Sequence, residues 1–397
     1  MRAHRFSSTP SSCGRLWLIA AVMLLALGAS RTARAYPQWQ LSSGATRCNQ
    51  CHYDPGGGGL ITSYGRDADG EELSMLPGNG ALLYGTVSPP SWLALGGDLR
   101  GGSVANDVQD PRGPTYAVFP MQADAYARVA FGGGLSAYGV LGFRGQVRDS
   151  SGPVPLQNYQ PIDSSRLISR EHYLMLQPEV LGPYVRAGRF FAPFGLRLAE
   201  HVTYIRRDLG FDTLQETYNL SAGYVYPTWE LHVTGFLPDF VRHIGSVEKG
   251  VAAYYERRLL GDALALGAQT RVAAGPGMTR LIVGGVGKLY VEPVKTLFLA
   301  EVNGVHMVFD SNAVGSRDQV VAAAGFAVLP LRGLVATLLA ERNQQDIAVS
   351  GAAWTAGTAL LSWFPFPHVE LQAMARVQVP SGTDATKTLF AQLHYFL

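Results

Sequence analysis

The residues with the clearest chemical potential are two cysteines near the start of the chain, Cys48 and Cys51, and the histidine that follows them, His52. In Cys48-Asn49-Gln50-Cys51-His52 the two thiols fall on one turn of a helix. Thiols with that spacing reach the two vinyl groups of one porphyrin, and the adjacent imidazole then lies under the iron as its proximal ligand. The spacing therefore predicts covalent attachment of one haem c.

Three other uses of two close thiols stay open. A thioredoxin-like redox pair needs a βαβ context, which the surrounding sequence does not show. A zinc site needs two more cysteine or histidine ligands nearby, and the next histidine after His52 is His172. A structural disulfide is a third use, although it is strained at this spacing. We expect haem attachment because the chain also begins with an export signal, and c-type haem is attached outside the cytoplasm.

The first 35 residues predict a secretory signal peptide. A basic start is followed by the apolar run LWLIAAVMLLALGA and by the small-residue cleavage site ARA. The apolar run is shorter than the ~20 residues of a spanning helix, although an N-terminal membrane anchor is the alternative. Cleavage after Ala35 removes Cys13 and makes Tyr36 the new N-terminus.

Charge and composition exclude several function classes. The chain has 32 basic and 30 acidic residues, and loss of the five signal arginines leaves a slightly acidic mature protein. No polybasic surface for nucleic acid is therefore predicted. No apolar run after the signal approaches the length of a membrane helix. Two cysteines in so long a secreted chain do not make a disulfide scaffold.

Residues downstream of His52 are candidates for the rest of a haem site. Met75 is a candidate sixth iron ligand, with ordinary apolar packing as the alternative. Arg66 is a candidate partner of a haem propionate, with a solvated surface arginine as the alternative. The glycines 56–59 either let the backbone approach a flat cofactor or form a flexible turn. The segment 36–90 is too short to enclose a haem alone, so we expect its walls to come from elsewhere.

From Ser91 onward the sequence repeats segments of alternating apolar and polar residues, each followed by Gly, Pro, Asp or Asn. In HVELQAMARVQV the apolar face runs from Val369 to Val379 at every second position, which is typical of a strand with one apolar face. About sixteen such segments predict a transmembrane β-barrel, with a soluble sandwich or propeller as the alternative. They lie near 91–103, 117–132, 134–149, 167–180, 183–191, 215–226, 228–239, 248–259, 262–275, 277–292, 294–309, 318–330, 333–346, 352–366, 368–380 and 386–397.

Two segments carry resemblances to outer-membrane barrels. The final KTLFAQLHYFL resembles their C-terminal assembly signal, although that signal usually ends in Phe rather than Leu. GRFFAPFG, inside the stretch Arg186 to Asp208, is similar to a segment of phosphate-selective-type porins where the chain leaves the wall and folds inward. The resemblance implies a constriction, and a long extracellular loop is the alternative. The implied lining residues are Arg197, His201, Arg206 and Arg207.

One haem segment followed by a barrel resembles the outer-membrane cytochrome–porin fusions, some of which are proposed Fe(II) oxidases. The matching residues are Cys48, Cys51, His52, Pro55 and Leu60-Ile61-Thr62-Ser63-Tyr64-Gly65-Arg66. This chain differs from the family pattern by the inserted glycines 56–59, the extra Ile61, and Tyr64 in place of Phe. The layout matches over the whole mature chain, while the residue-level match covers about 20 positions.

Together these observations predict an all-β protein in three parts: a signal peptide (1–35), a monohaem cytochrome c-like segment (36–90) that plugs the lumen, and an outer-membrane β-barrel of about sixteen strands (91–397). We expect an electron conduit between an extracellular donor, with Fe(II) as a candidate, and a periplasmic carrier such as a soluble cytochrome. Lipid of the outer membrane would surround the barrel, and His232 is a second candidate for the sixth ligand. The alternatives are an outward conduit to an extracellular acceptor, and a solute channel with a structural or sensory haem.

Overall fold

A computed structural model describes residues 41, 47–107, 115–144, 159–160, 167–241, 245–310 and 315–397. The predicted signal peptide, residues 1–35, lies outside the described residues. In the part of the chain that is described, no helix is long and apolar enough to cross a membrane.

Sixteen antiparallel strands form a closed barrel, as the alternating sequence pattern predicted. The barrel closes because β1 pairs with β2 on one side and with β16 on the other. The strands are β1 (Leu93–Asn106), β2 (Thr115–Gly132), β3 (Leu135–Arg144), β4 (Leu167–Ile168 and His172–Leu176), β5 (Gly182–Phe190), β6 (Thr217–Tyr226), β7 (Trp229–Leu237), β8 (Lys249–Leu259), β9 (Leu264–Gly275), β10 (Met278–Val291), β11 (Thr296–Phe309), β12 (Ser316–Leu331), β13 (Leu334–Gln344), β14 (Ala353–Trp363), β15 (Val369–Pro380) and β16 (Thr386–Phe396).

Residues alternate between the lumen and the outer face along each strand, and β11 shows the pattern well. Glu301 and Asn303 point inward and are buried, whereas Phe298 and Val302 point outward and are exposed. An apolar outer face with polar residues inside is the reverse of a soluble core and is typical of a barrel in lipid. The strand pattern therefore supports a transmembrane barrel over a soluble sandwich.

The fourth strand differs from the predicted segment 167–180, because it is interrupted and ends at Leu176. Ile168 pairs with Gly142 and His172 pairs with Gly139, so β4 advances four residues while β3 advances three. One extra residue on one strand is a β-bulge, which bends the strand and redirects its side chains.

The two ends of the barrel differ in the length of their connections. At one end the strands join through short turns, such as residues 227–228 between β6 and β7. At the other end most connections are longer, including residues 191–216, although residues 276–277 join β9 to β10 in a short turn. In bacterial barrels the short turns are periplasmic and the long loops extracellular.

The described elements outside the wall are α1 (Cys48–Cys51), α2 (Ser63–Ala68), a π-helical turn (Asp69–Leu73), 3₁₀ turns (Leu82–Gly85 and Glu292–Val294), α3 (Tyr204–Arg207), and a pair of short strands (Tyr159–Gln160 and Gly245–Ser246).

Residues 191–216, called here the inward loop, leave the wall after β5 and cross the lumen. The backbone N–H of Leu196 donates to Glu301 Oε2 at 2.7 Å, and that of Tyr204 donates to Glu341 Oε1 at 2.6 Å. Both carboxylates lie on the opposite wall, on β11 and β13. Leu196 and Tyr204 are also buried against apolar lumen residues, and burial of such a side chain contributes roughly 1.5–3 kcal/mol. The chain therefore folds inward here, as its resemblance to porin segments implied.

The N-terminal segment, residues 47–90, lies in the short-turn mouth of the barrel. Arg47 donates to Tyr226 O at 2.9 Å, and Asn49 donates to Val180 O at 2.6 Å, both in turns of the rim. Deeper in, the N–H of Leu60 donates to Tyr138 Oη at 3.2 Å inside the lumen. The segment therefore fills part of the mouth, as expected for a plug.

Candidate functional site

Helix α1 places both thiols on one turn, with His52 immediately after it. The turn closes through the His52 N–H, which donates to Cys48 O at 3.0 Å. Both cysteines carry free thiols; Cys48 is partly buried and Cys51 is fully buried. No disulfide links the two cysteines in this structure, and their spacing on one turn is the spacing that addition to a porphyrin requires.

A glycine run folds the chain back against α1. Gly57, Gly58 and Gly59 have φ of 83°, 82° and 60°, a left-handed conformation that other residues rarely adopt. A Cβ on Gly57 would lie 3.2 Å from Cys48 Sγ. The run therefore brings bare backbone close to the first thiol, which fits its predicted use beside a flat cofactor.

Helix α2 packs on the backbone of the second cysteine through Gly65. A Cβ at this position would lie 2.5 Å from Cys51 O, so a larger residue would push α2 away. Thr62 caps the helix by accepting from the Gly65 N–H at 3.1 Å, and its own hydroxyl donates to Gln50 O at 2.8 Å. Through these contacts the Leu-Ile-Thr-Ser-Tyr-Gly-Arg run holds α2 against the turn that carries the two cysteines.

Arg66, the last residue of that run, donates to Leu95 O at the start of β1. Burial lowers the pKa of its guanidinium. The contact fastens α2 to the barrel wall, and the pairing of Arg66 with a propionate stays a prediction.

An ion pair fixes the segment inside the lumen. Asp54, two residues after His52, pairs with Arg186 of β5. Arg186 is 0 % exposed, and its guanidinium lies 3.6 Å from the ring centre of Phe190 and 5.0 Å from that of Tyr173. A guanidinium so enclosed depends on its carboxylate partner, because an unpaired buried charge is strongly unfavourable.

Arg197 of the inward loop reaches the cysteine turn from the other side. Its Nη1 lies 3.3 Å from Cys48 Sγ, and its Nη2 lies 3.3 Å from Glu230 Oε1. The guanidinium also stacks 4.7 Å above the ring centre of Tyr254. Arg197 has φ of 57°, a left-handed conformation that costs a non-glycine residue about 1–3 kcal/mol. The contacts of the Arg197 side chain offset this backbone strain. The left-handed backbone in turn points the side chain toward Cys48.

The other cations predicted at a constriction have different surroundings. Arg206 donates to Leu198 O at 2.8 Å, within its own loop, and Arg207 pairs with Asp208 at 3.1 Å. His201 lies in the turn before α3. These contacts show Arg206 and Arg207 holding the loop together, whereas Arg197 contacts the thiol.

The two candidate sixth ligands lie in different places. The N–H of Met75 donates to Phe364 O at 2.7 Å, so Met75 lies on the β14–β15 turn, away from the rim turns that α1 contacts. His232 is buried in the lumen, with Nδ1 2.7 Å from Tyr184 Oη and Nε2 3.6 Å from Glu230 Oε1. Neither placement tests iron ligation, which stays a prediction for Met75 and for His232.

The residues around α1 fit a c-type haem by their donor chemistry. Cys48 and Cys51 provide two sulfurs on one turn that are not joined in a disulfide, and His52 provides an imidazole next to them. A thioether sulfur keeps lone pairs, so the contact between Cys48 and Arg197 is compatible with the attached form.

Burial changes the acidity of both thiols and gives a prediction for the haem-free protein. Burial raises the pKa of Cys48, and it raises the pKa of Cys51 to about 12. Only the thiolate reacts with iodoacetamide, so at pH 8 folded Cys51 should react roughly 1,000-fold more slowly than in urea. Its rate should rise about tenfold per pH unit up to pH 10, while the rate in urea levels off near pH 9. Equal rates in folded and denatured protein, measured by peptide mass spectrometry, would contradict the buried position.

Comparisons with known proteins give the fold. No protein-family model matches the sequence, and no curated protein matches it at a significant level. Among solved structures, outer-membrane OmpT of Vibrio cholerae is similar with a TM-score of 0.56 and 10% identity, over 78% of this chain and 100% of that one. The anion-selective porin from Comamonas acidovorans gives 0.54 and 11%, over 77% and 99%. The outer-membrane channel DcaP of Acinetobacter baumannii gives 0.51 and 11%, over 77% and 97%. Identities this low bear on fold alone: the chain has the porin-like β-barrel fold of outer-membrane channel proteins.

Proposed function

We propose that this protein is an outer-membrane electron conduit carrying one covalent haem c in the periplasmic mouth of its barrel. The observation that carries the proposal is the cysteine turn: two cysteines on α1 with His52 immediately after it, held inside the barrel by Asp54 and Arg197. A bound haem supplies a reversible one-electron couple, which the side chains of this chain do not provide.

Each part of the chain has a separate task in this proposal. Cys48 and Cys51 hold the porphyrin, and His52 is the proximal ligand. Asp54 and Arg186 keep the segment from leaving the lumen, and Gly65 lets α2 cover Cys51. The inward loop restricts water and solute from the extracellular side, while the short-turn mouth presents the segment to a periplasmic carrier such as a soluble cytochrome. Fe(II) is the proposed extracellular donor, and an outward conduit has the same parts with the direction reversed.

A solute channel is the second candidate, with the haem in a structural or sensory role. The observation that favours it is the similarity in fold to a channel and an anion-selective porin. Porin-like barrels owe their solute selectivity to lumen side chains, and this lumen is rich in buried charges such as Glu230 and Arg258.

Liposomes containing a redox dye separate these functions. Haem-loaded protein with Fe(II) outside should reduce the internal dye, and haem-free protein, made without haem attachment, is the matched control. Reduction of an external acceptor by an internal donor would instead identify an outward conduit. Leakage of small solutes without electron transfer, equal for loaded and haem-free protein, would overturn the conduit in favour of the channel.

A further inference from the structure

One side of the lumen is closed to water. Along the middle of β10 to β12 the lumen-facing side chains of Ile282, Asn303 and Val321 are all 0 % exposed. The apolar side chains of the inward loop, such as Leu196 and Leu209, belong to the same buried core as Ile282 and Val321. The inward loop therefore fills this side of the lumen, and we refer to the lumen-facing side of β10 to β12 as the dry half.

The lumen-facing residues of β1, β2 and β4 are instead partly open to water. The side chain of Arg100 on β1 is 23 % exposed, and Gln122 on β2 and Glu171 beside the bulge of β4 are half-buried. The barrel wall shields such side chains from the outside, so water can reach them only from within the lumen. Space for water therefore remains next to these strands.

The inward loop turns a polar edge toward the same strands. Its residues Glu200 and Arg206 are half-buried and His201 is exposed. All three interact electrostatically with Arg100 of β1. The loop thus packs its apolar side chains on the dry half and leaves polar ones along a gap. We refer to this gap as the lumen path, which lies between Arg100, Gln122 and Glu171 of the wall and Glu200, His201 and Arg206 of the loop.

The lumen path reaches the N-terminal segment at the glycine run. Gly59 is exposed, and a Cβ at this position would lie 2.5 Å from Tyr138 Oη and 3.5 Å from Glu171 Oε2. On the other side of the run, a Cβ on Gly57 would lie 3.2 Å from Cys48 Sγ. Only the bare backbone of the run therefore separates the lumen path from the first sulfur.

The position of the cysteine turn makes such a path important for an extracellular donor. Arg47 and Asn49 bond to rim turns at the periplasmic end, so α1 lies near that end. The apolar band of such barrels is about 25 Å tall. A donor that stays at the outer surface would therefore be separated from the cysteine turn by much of the barrel height.

We propose that the lumen path carries a small hydrated donor ion to the glycine run, so that its electron passes to the haem inside the barrel and not at the outer surface. This inference rests on the proposed function. One Fe(II) ion gives one electron to oxidised haem and leaves as Fe(III), and the reduced haem gives that electron to the periplasmic carrier. No bond is formed and no proton is transferred in this step.

Labelling of introduced cysteines tests the lumen path without haem. In a Cys48→Ala, Cys51→Ala background, Gln122→Cys and His201→Cys place a thiol on the path, whereas Ala323→Cys places one in the dry half, where Ala323 is 2 % exposed. A membrane-impermeant trimethylammonium methanethiosulfonate is added to folded protein in liposomes. Because thiol reactivity depends on access, Gln122→Cys should react roughly 100-fold faster than Ala323→Cys, measured by peptide mass spectrometry. Heat-modifiable gel mobility shows that each barrel is folded.

Electron transfer by haem-loaded protein tests whether the donor uses this path. The native sulfurs are then thioethers, so only the introduced thiol reacts. The label on Gln122→Cys adds bulk and positive charge, and it should slow the reduction of a dextran-coupled internal dye by external Fe(II) about tenfold. His201→Cys should behave in the same way. Ser381→Cys, exposed in the turn after β15, should be labelled without loss of rate. Haem-free protein shows any dye reduction by Fe(II) that crosses unaided.

The outcomes separate the lumen path from the conduit. Fast labelling of Gln122→Cys together with slower dye reduction supports the proposal. Equal labelling of Gln122→Cys and Ala323→Cys would overturn it, because no water would then reach the path. An unchanged rate in labelled Gln122→Cys, equal to that of labelled Ser381→Cys, would also overturn it and leave the conduit intact. If unlabelled loaded protein reduces no dye, the proposed function and the donor path both fail, and selective labelling would then leave solute passage as the use of this gap.

Discussion

Replacing Asp54 with asparagine should release the N-terminal segment from the lumen. Arg186 would keep its charge at 0 % exposure while losing its carboxylate partner. Breaking one side of a buried ion pair costs about 3–5 kcal/mol. That is roughly a 140- to 4,000-fold shift toward the undocked segment. Hydrogen exchange of residues 47–62 measures it directly, because undocking exposes their backbone amides.

The barrel itself should remain folded in this variant, since its wall is held by the strand pairing and not by the segment. Asp67→Asn is a matched control, because Asp67 is exposed on α2 and its substitution removes the same charge. A double-mutant cycle with Asp54→Ala and Arg186→Ala measures the coupling between the two side chains. Exchange in Asp54→Asn within twofold of that in Asp67→Asn would show that the ion pair does not hold the segment.

The barrel could be predicted from the sequence because each strand repeats one simple rule. A residue facing lipid must be apolar and its neighbour facing the lumen is polar, so the period of two survives along the whole wall. The predicted segment 368–380 and the observed β15 illustrate this agreement. The rule has no place for an added residue, so it predicted one uninterrupted strand at 167–180 and missed the bulge in β4.

The cysteine turn could also be predicted, because α1 and His52 are contiguous in the chain. The lumen residues that hold this turn in place could not be predicted from the sequence. Asp54 and Arg186 are 132 residues apart, and the alternation pattern shows only that Arg186 points inward. Which lumen residue meets which part of the segment depends on how strands and inward loop are arranged in space. Buried Arg186 and Glu230 on lumen faces were the available signal, since such charges need partners inside the barrel.

Arg197 shows how a correct general prediction can miss the specific contact. Its place in the inward loop followed from the resemblance to porin segments, and a constriction was the expected role. The structure turns its side chain toward Cys48 because the backbone at Arg197 is left-handed, a feature that residue type does not reveal. The inward loop and the N-terminal segment are thus one packed unit rather than two independent fillings of the lumen.

Replacing both Cys48 and Cys51 with alanine should abolish covalent haem. Each thioether requires one of these sulfurs, and the residues that the structure describes include no other cysteine. The haem stain on denaturing gels should disappear completely, and electron transfer to an internal dye should fall to the level of empty liposomes. Because α1 is tied to the rim through Arg47 and Asn49, whose contacts do not involve sulfur, the barrel should still show its folded mobility.

Single replacements make this result specific to attachment. Cys51→Ala should keep one thioether through Cys48 and retain part of the stain, with the pyridine haemochrome maximum shifted by the restored vinyl group. His52→Ala should retain the stain, because both sulfurs remain, but should lose the low-spin spectrum that the imidazole provides. Full haem absorbance in the double variant would show that the cofactor is held without these sulfurs. A stain that survives in the double variant but fails in His52→Ala would contradict thioether attachment altogether, since the imidazole cannot form a bond that withstands denaturation.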